Sequence, residues 1–136
     1  MRSSLFCITL LLLSCFASTE ISAQELDGNI FQKVEVEASF PGKESSWKTF
    51  LQTNLRADVP VRKKAKVGTY TVIIQFLVEK DGTLSEFKAL TNHGHGMEKE
   101  VIRILKKSPK WEPAYQNGRP VRAYRKQPVT FKVENE

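Results

Sequence analysis

The sequence predicts a small two-layer α+β domain: one antiparallel sheet and two helices, in the order strand, helix, strand, strand, helix, strand. Three observations carry this. The stretch GTYTVIIQFLVEKDGTLSEFKALTN (68–92) alternates apolar and polar residues on both sides of an Asp81-Gly82 turn signal. The stretches Trp47–Leu55 and Met97–Leu105 instead repeat apolar residues at helical spacing. The chain then closes on a second alternating run, Val129–Val133. Amphipathic helices and an amphipathic sheet bury their apolar faces against each other, which gives two layers.

The chain of 136 residues has room for one such domain. It opens with a leader. Arg2 precedes the apolar run Leu5–Leu13, and small and polar residues follow as far as Ser22-Ala23. This is the layout of a secretory signal peptide over residues 1–23, too short in its apolar part to span a bilayer. Two fates stay open. Cleavage after Ala23 leaves a free exported protein. The stretch LLSC at 12–15 also resembles a lipoprotein box, in which Cys15 is lipidated and anchors the chain. Cys7 and Cys15 are the only cysteines, so cleavage at Ala23 leaves a domain without disulfides or thiolate metal ligands.

Residues 24–39 form a lead-in. Val34, Val36 and Ala38 alternate within FQKVEVEASF (31–40) and predict a short strand, ended by Pro41-Gly42. The domain proper is assigned to residues 40–136. Trp47, Phe50, Leu51, Asn54 and Leu55 fall on one stripe of a first helix, with Ser45 or Ser46 as its cap. Asp58–Val67, with Pro60 and the cations Arg62, Lys63, Lys64 and Lys66, reads as an exposed loop. In the hairpin, Tyr70, Val72, Ile74, Phe76 and Val78 share the core face; Ile73 and Leu77 leave the other face partly apolar. NHGHG (92–96) is a turn that leads into the second helix. That helix carries Met97, Val101, Ile104 and Leu105 inward, with Glu98 and Glu100 at its start, Lys106 and Lys107 at its end, and Pro109 as its stop. Trp111, between Pro109 and Pro113, is expected to lie on the core.

The last strand is the candidate for function. Val129, Phe131 and Val133 point one way, and Thr130, Lys132 and Glu134 the other. Pro128 has no N–H to give a ladder and suits an edge. An edge presents unpaired backbone groups. Arg125, Lys126 and Lys132 can blunt it, the Val34–Ala38 strand can cover it, or an extended peptide can add to it. An uncovered edge also admits a strand-exchanged homodimer.

Other chemistry is thin. His93 and His95 are the only histidines, and with Glu98 they fall short of a closed metal site, so no metal and no cofactor are expected. Glu98 and Glu100 are spaced so that they do not face each other on a helix. Beyond the leader there is no nucleophile motif and no phosphate loop, so an enzyme is not expected. The net charge is +6, and removing residues 1–23 takes away one charge of each sign, Arg2 and Glu20. An exported protein of this charge meets acidic protein segments and anionic lipid or polysaccharide rather than nucleic acid.

Gly68, Val72, Phe76, Val78 and Asp81-Gly82, then the second helix, then Lys110-Trp111 with Pro113, then Asn117-Gly118 with Pro120-Val121, stand in a telling order. Their order and spacing over about Phe40–Val133 resemble the carboxy-terminal domain of TonB-type energy transducers, in the form found as short exported envelope proteins. The resemblance implies a periplasmic or envelope-associated protein-interaction module. It implies that the last strand, Val129, Thr130, Phe131, Lys132 and Val133, pairs with extended segments of outer-membrane receptors or of other envelope proteins. A second contact is implied after the first helix, at Val59 and Pro60, although the aromatic residue that usually precedes this proline is replaced by Val59. Full transducers also carry an anchored helix and a long proline-rich spacer; about twenty residues separate the leader from the domain here. The second reading of the same chain is a basic envelope-associated domain on anionic lipid or polysaccharide.

Overall fold

The computed structural model describes residues 28–135. The leader and both of its proposed processing sites lie outside them. The first described strand, β1 (Ile30–Phe31), leads to the helix α1 (Lys43–Asn54) and a single helical turn, α2 (Val59–Arg62). The hairpin strands are β2 (Gly68–Val78) and β3 (Leu84–Ala89). The helix α3 (Met97–Lys107), the short strand β4 (Ala114–Gln116) and the long strand β5 (Arg119–Val133) complete the chain. The expected two-layer α+β class holds, and α2 and β4 are additions to the expected order.

The sheet runs β1-β5-β2-β3, with β4 paired to the start of β5. β5 lies antiparallel to the whole of β2, from Gly68 opposite Val133 to Val78 opposite Ala123. β1 pairs in parallel with β5 at Arg122 and Ala123, so the sheet is mixed rather than purely antiparallel. The lead-in is not the continuous strand its alternation predicts. Beyond β1 its residues make only isolated bridges, Val36 to Tyr115 and Ser39 to Glu112. Val36, on the alternating face, is 56% exposed, whereas Ala38 on the same face is 3% exposed and Val34 packs against the core.

The core forms where the period-two and helical stripes meet. Val72, Ile74, Phe76 and Val78 of β2 and Val129 and Phe131 of β5 share one buried cluster with Met97, Val101, Ile104 and Leu105 of α3. Leu77 is buried on the opposite face. Tyr124 stands opposite Leu77 on β5, and its hydroxyl donates to Glu86 on β3, 2.6 Å away. The phenol therefore crosses β2 and roofs Leu77.

Gly82 ties the hairpin to the segment after α3. Its carbonyl accepts the Trp111 N–H at 3.0 Å, and its φ is +87°. A Cβ there would stand 2.0 Å from the Trp111 carbonyl oxygen, so only glycine fits. Trp111 is thereby delivered into an aromatic cluster: ring centroids lie 5.8 Å from Phe40, 5.8 Å from Trp47 and 5.1 Å from Phe76.

That cluster holds the front half of α1, whose one fully buried residue is Trp47. The helix begins at Gly42, in the left-handed conformation, rather than at a serine cap; the Pro41-Gly42 turn aims the chain so that Ser45 and Ser46 already lie inside the first turn. Its far end is clamped. Glu100, 5% exposed, accepts the Arg56 N–H at 3.0 Å and both a 2.9 Å bond from Arg103 Nε and a very short one from Nη2. Arg103 Nη2 also donates to the Asn54 carbonyl at 2.9 Å. Burial pushes the Glu100 carboxyl up, and the Arg103 and Arg56 donors more than offset this, holding it below its ordinary value. Glu100 is thus a clamp between α3 and α1, and not only a charge at a helix start.

Candidate functional site: the outer edge of the last strand

The direction of the backbone groups on β5 follows from its neighbour. The Ile73 N–H donates to Thr91 Oγ1 at 3.2 Å, and its carbonyl accepts the Leu90 N–H at 2.9 Å. Both groups of Ile73 therefore face β3. Ile73 stands opposite Pro128, so this is a non-hydrogen-bonded pair, and the backbone of Pro128 faces away from β2 as well. By alternation the N–H and C=O groups of Tyr124, Lys126, Thr130 and Lys132 also face outward, while those of Arg125, Gln127, Val129, Phe131 and Val133 bond to β2. The proline sits where its missing N–H costs the ladder nothing.

Among the described residues, β1 occupies this outer edge only at Arg122 and Ala123. No described backbone pairs with the edge from Tyr124 to Lys132. The lead-in leaves it after Phe31 and turns to β4, so the backbone of Val34–Ala38 does not pair with it, although Val36 and Glu37 stand beside Arg125 and Gln127 at its upper end.

Along this edge α1 forms the far wall of a trough. Its upper part, about 360 Å³, is lined by Lys43, Glu44 and Trp47 on one side and Arg125 and Gln127 on the other. Its lower part, about 330 Å³, is lined by Lys48, Leu51, Gln52, Leu55 and Ala57 against Val129 and Thr130. The two parts follow each other by one helical turn, and α1 runs alongside β5 in the same direction. Leu51 and Leu55 are only partly buried because this wall has no covering layer. An extended chain laid on the edge would find backbone donors and acceptors beside it and apolar side chains below.

The expected site residues divide by face. Val129, Phe131 and Val133 are 3%, 2% and 5% exposed, and of these Val129 lines the trough. Thr130 and Lys132 are exposed, and carry the outward backbone groups. Val59 and Pro60 do not join them. Expected in an exposed loop, they are buried in α2, where the proline suits a helix start, and Val59 Cγ1 lies close beneath Gly96. Val61, 50% exposed, is the apolar residue this turn presents outward. His93 and His95 do not converge: His93 Nε2 lies 2.8 Å from the Thr71 carbonyl and His95 Nδ1 2.8 Å from the Lys63 carbonyl. Glu98 binds the His93 and Gly94 N–H groups at 2.6 and 3.2 Å, which fixes the loop at the start of α3.

Residues 61–133 match the family model of the Gram-negative bacterial TonB protein C-terminal. The chain belongs to the TonB C-terminal family. Comparison with the curated proteins, and with the solved structures, found no match. The family is one of protein-interaction domains of the cell envelope in TonB-type transport, and not a family of enzymes. No helix among the described residues is long and apolar enough to cross a membrane.

Sequence reasoning missed the α1 wall and the inward turn of Arg125 and Gln127. The signal was present for the second: period two, run backward from Val129, puts positions 127 and 125 on the core face. The wall of α1 could not be found this way, because its apolar stripe looks the same whether a layer of the domain or a partner covers it.

Proposed function

We propose that this TonB C-terminal domain captures an extended segment of an outer-membrane receptor, or of another envelope protein, by strand addition to the outer edge of β5. The observation that carries the reading is the unpaired run of backbone groups from Tyr124 to Lys132, set beside a trough with an apolar floor. Thr130 and Lys132 offer N–H and C=O groups to the incoming strand. Val129, with Leu51 and Leu55 across the trough, meets its alternate side chains.

A basic surface for anionic lipid or polysaccharide has less support. Arg62 is paired with Asp58 at 2.7 Å, Arg122 with Glu79 at 2.7 Å, and Arg125 with Glu37. Lys106 lies 5.7 Å over the Phe87 ring. These four cations are thus engaged locally.

The test is a backbone-amide NMR titration of the purified protein with N-terminal segments of outer-membrane receptors from the same organism. Saturable shifts centred on Val129–Val133 that persist in added salt are expected. Shifts confined to the Lys63–Lys66 and Lys106–Lys110 regions, and abolished by salt, would replace strand addition with surface electrostatics.

A further inference from the structure

Arg125 stands apart from the other cations. It belongs to the inward-facing row of β5, and its side chain enters the upper trough above Phe40, Trp47 and Trp111. Only 26% of it is exposed, and Nη1 bonds to Glu37 of the lead-in. Its Nε is buried and has no hydrogen-bond partner among the described residues. Arg122, on the same strand, shows the completed arrangement. There Nε and Nη2 hold the two oxygens of Glu79 at 2.7 and 3.1 Å. A guanidinium presents planar forks that match a carboxylate through two parallel bonds; Glu37 meets Arg125 at Nη1 alone, outside the Nε–Nη2 fork that Arg122 uses, so it makes no two-bond pair there.

Glu37 is a loose occupant. Its side chain is 71% exposed, and its segment is held by the bridges at Val36 and Ser39. Gln127 lies beside it, with its amide turned to the outward Pro128 carbonyl at 3.3 Å. Lys43 lines the same pocket. Glu44 lines it too, so the place holds two cations and two carboxylates and becomes cationic only when Glu37 leaves; it is partly dehydrated and floored by aromatic rings, at the head of the edge where β1 stops.

We infer that the upper trough is a carboxylate pocket: Arg125 receives an Asp or Glu side chain of the strand that adds to β5, and Glu37 occupies that place before the partner arrives. This rests on the strand-addition reading and adds to it a chemical requirement on the partner, an acidic residue at a fixed offset from the apolar residues that face Val129 and Leu51. It also gives the lead-in a role, since binding exchanges an intramolecular carboxylate for an intermolecular one.

The probe is a displayed random-peptide library selected on the purified protein, on Arg125→Met and on Glu37→Gln, each checked for an unchanged circular dichroism spectrum. On the native protein, enriched peptides should share an apolar alternation plus an acidic residue at one offset. On Arg125→Met the alternation should persist and the acid disappear. An enriched peptide and its Glu-to-Gln twin should differ about tenfold in affinity for the native protein and hardly at all for Arg125→Met. Glu37→Gln should bind the acidic peptide more tightly. Peptides that shift the amides of Val129–Val133 but show no acid preference would overturn the pocket and leave strand addition standing. A library that yields no peptide shifting those amides would overturn both. If Arg125→Met is misfolded, Arg125→Lys, which keeps the charge and loses the fork, must still lower the ratio between the twins, or the pocket is wrong.

Discussion

Two prolines, placed one residue apart, should behave in opposite ways. Thr130→Pro removes an N–H that faces outward and takes no bond from the β2–β5 ladder. The identifiable loss is the 3.1 Å bond between Thr71 and Thr130 hydroxyls, worth about 1 kcal/mol. Pro128, two residues earlier on the same edge, already shows that the strand tolerates a pyrrolidine in this phase. Phe131→Pro instead removes an N–H that bonds to β2 and a ring that is 2% exposed. Truncating a buried phenylalanine costs about 3–5 kcal/mol, and the lost ladder bond adds about 1 kcal/mol. Together these approach the whole stability of an ordinary domain. Thermal denaturation should therefore lower Tm by about 4–8 °C for Thr130→Pro and leave little folded Phe131→Pro. In the receptor-segment titration, folded Thr130→Pro should lose affinity about tenfold or more, since one donor is gone and the ring intrudes on the edge. If Thr130→Pro unfolds as completely as Phe131→Pro, the assignment of outward groups is wrong. If it folds and binds as before, partners do not use this edge.

Other perturbations test the frame that holds the trough open. Gly82→Ala should destabilise by at least about 1–3 kcal/mol from backbone strain alone, with the clash at the Trp111 carbonyl in addition; urea unfolding measures it. The Glu100 carboxyl is held below its ordinary value, so the stability it contributes is present above the unfolded pKa and is lost as pH falls through the folded one. Glu100→Gln should flatten the acid limb of the stability curve in that window and loosen the end of α1. Tyr124 is held above the ordinary tyrosine value, first by its bond to Glu86 and then by burial. Its contribution is present below the unfolded pKa and lost as pH rises through the folded one. Tyr124→Phe should remove that alkaline dependence, and an ultraviolet titration of the native protein should show one tyrosine ionising late.

The parts of the fold that were legible in the sequence are those in which one physical pattern acts alone. The hairpin declares itself because alternation and Asp81-Gly82 agree. α3 declares itself because its stripe, its end charges and Pro109 agree. The lead-in misleads because alternation at Val34, Val36 and Ala38 is a local property, whereas strand pairing needs a partner in register, and β4 meets it only at Val36, with Ser39 bridged to Glu112 before β4 begins. Asp58–Val67 misleads in the other direction. Its cations suggest a solvated loop, yet Val59 and Pro60 are drawn under the turn before α3 by packing that no local pattern records. The last strand was legible as an edge; the depth of its trough was not, because α1 is set at its distance by Trp47, Trp111 and the Glu100–Arg103 clamp, all remote in sequence from Val129.

An open edge invites a second copy of the same chain, and β5 carries two obstacles to that. In a two-fold antiparallel pairing centred on Val129, Lys126 of one copy would stand opposite Lys132 of the other, twice over, and each Pro128 would face Thr130. Centred on Pro128, the prolines would face each other. Like charges directly opposite cost about 0.2–1 kcal/mol per pair, and every proline forfeits a bond worth about 1 kcal/mol. A foreign strand with its own donors and an acidic residue meets neither obstacle in full. The double variant Lys126→Val, Lys132→Val, and more so with Pro128→Thr, should therefore self-associate at concentrations where the native protein is monomeric in sedimentation velocity. Added salt should promote association of the native protein, by screening the lysines, and leave the variant unmoved. If all three changes leave the protein as monomeric as before, the edge is not open to strands at all, and the partner must be sought on another face.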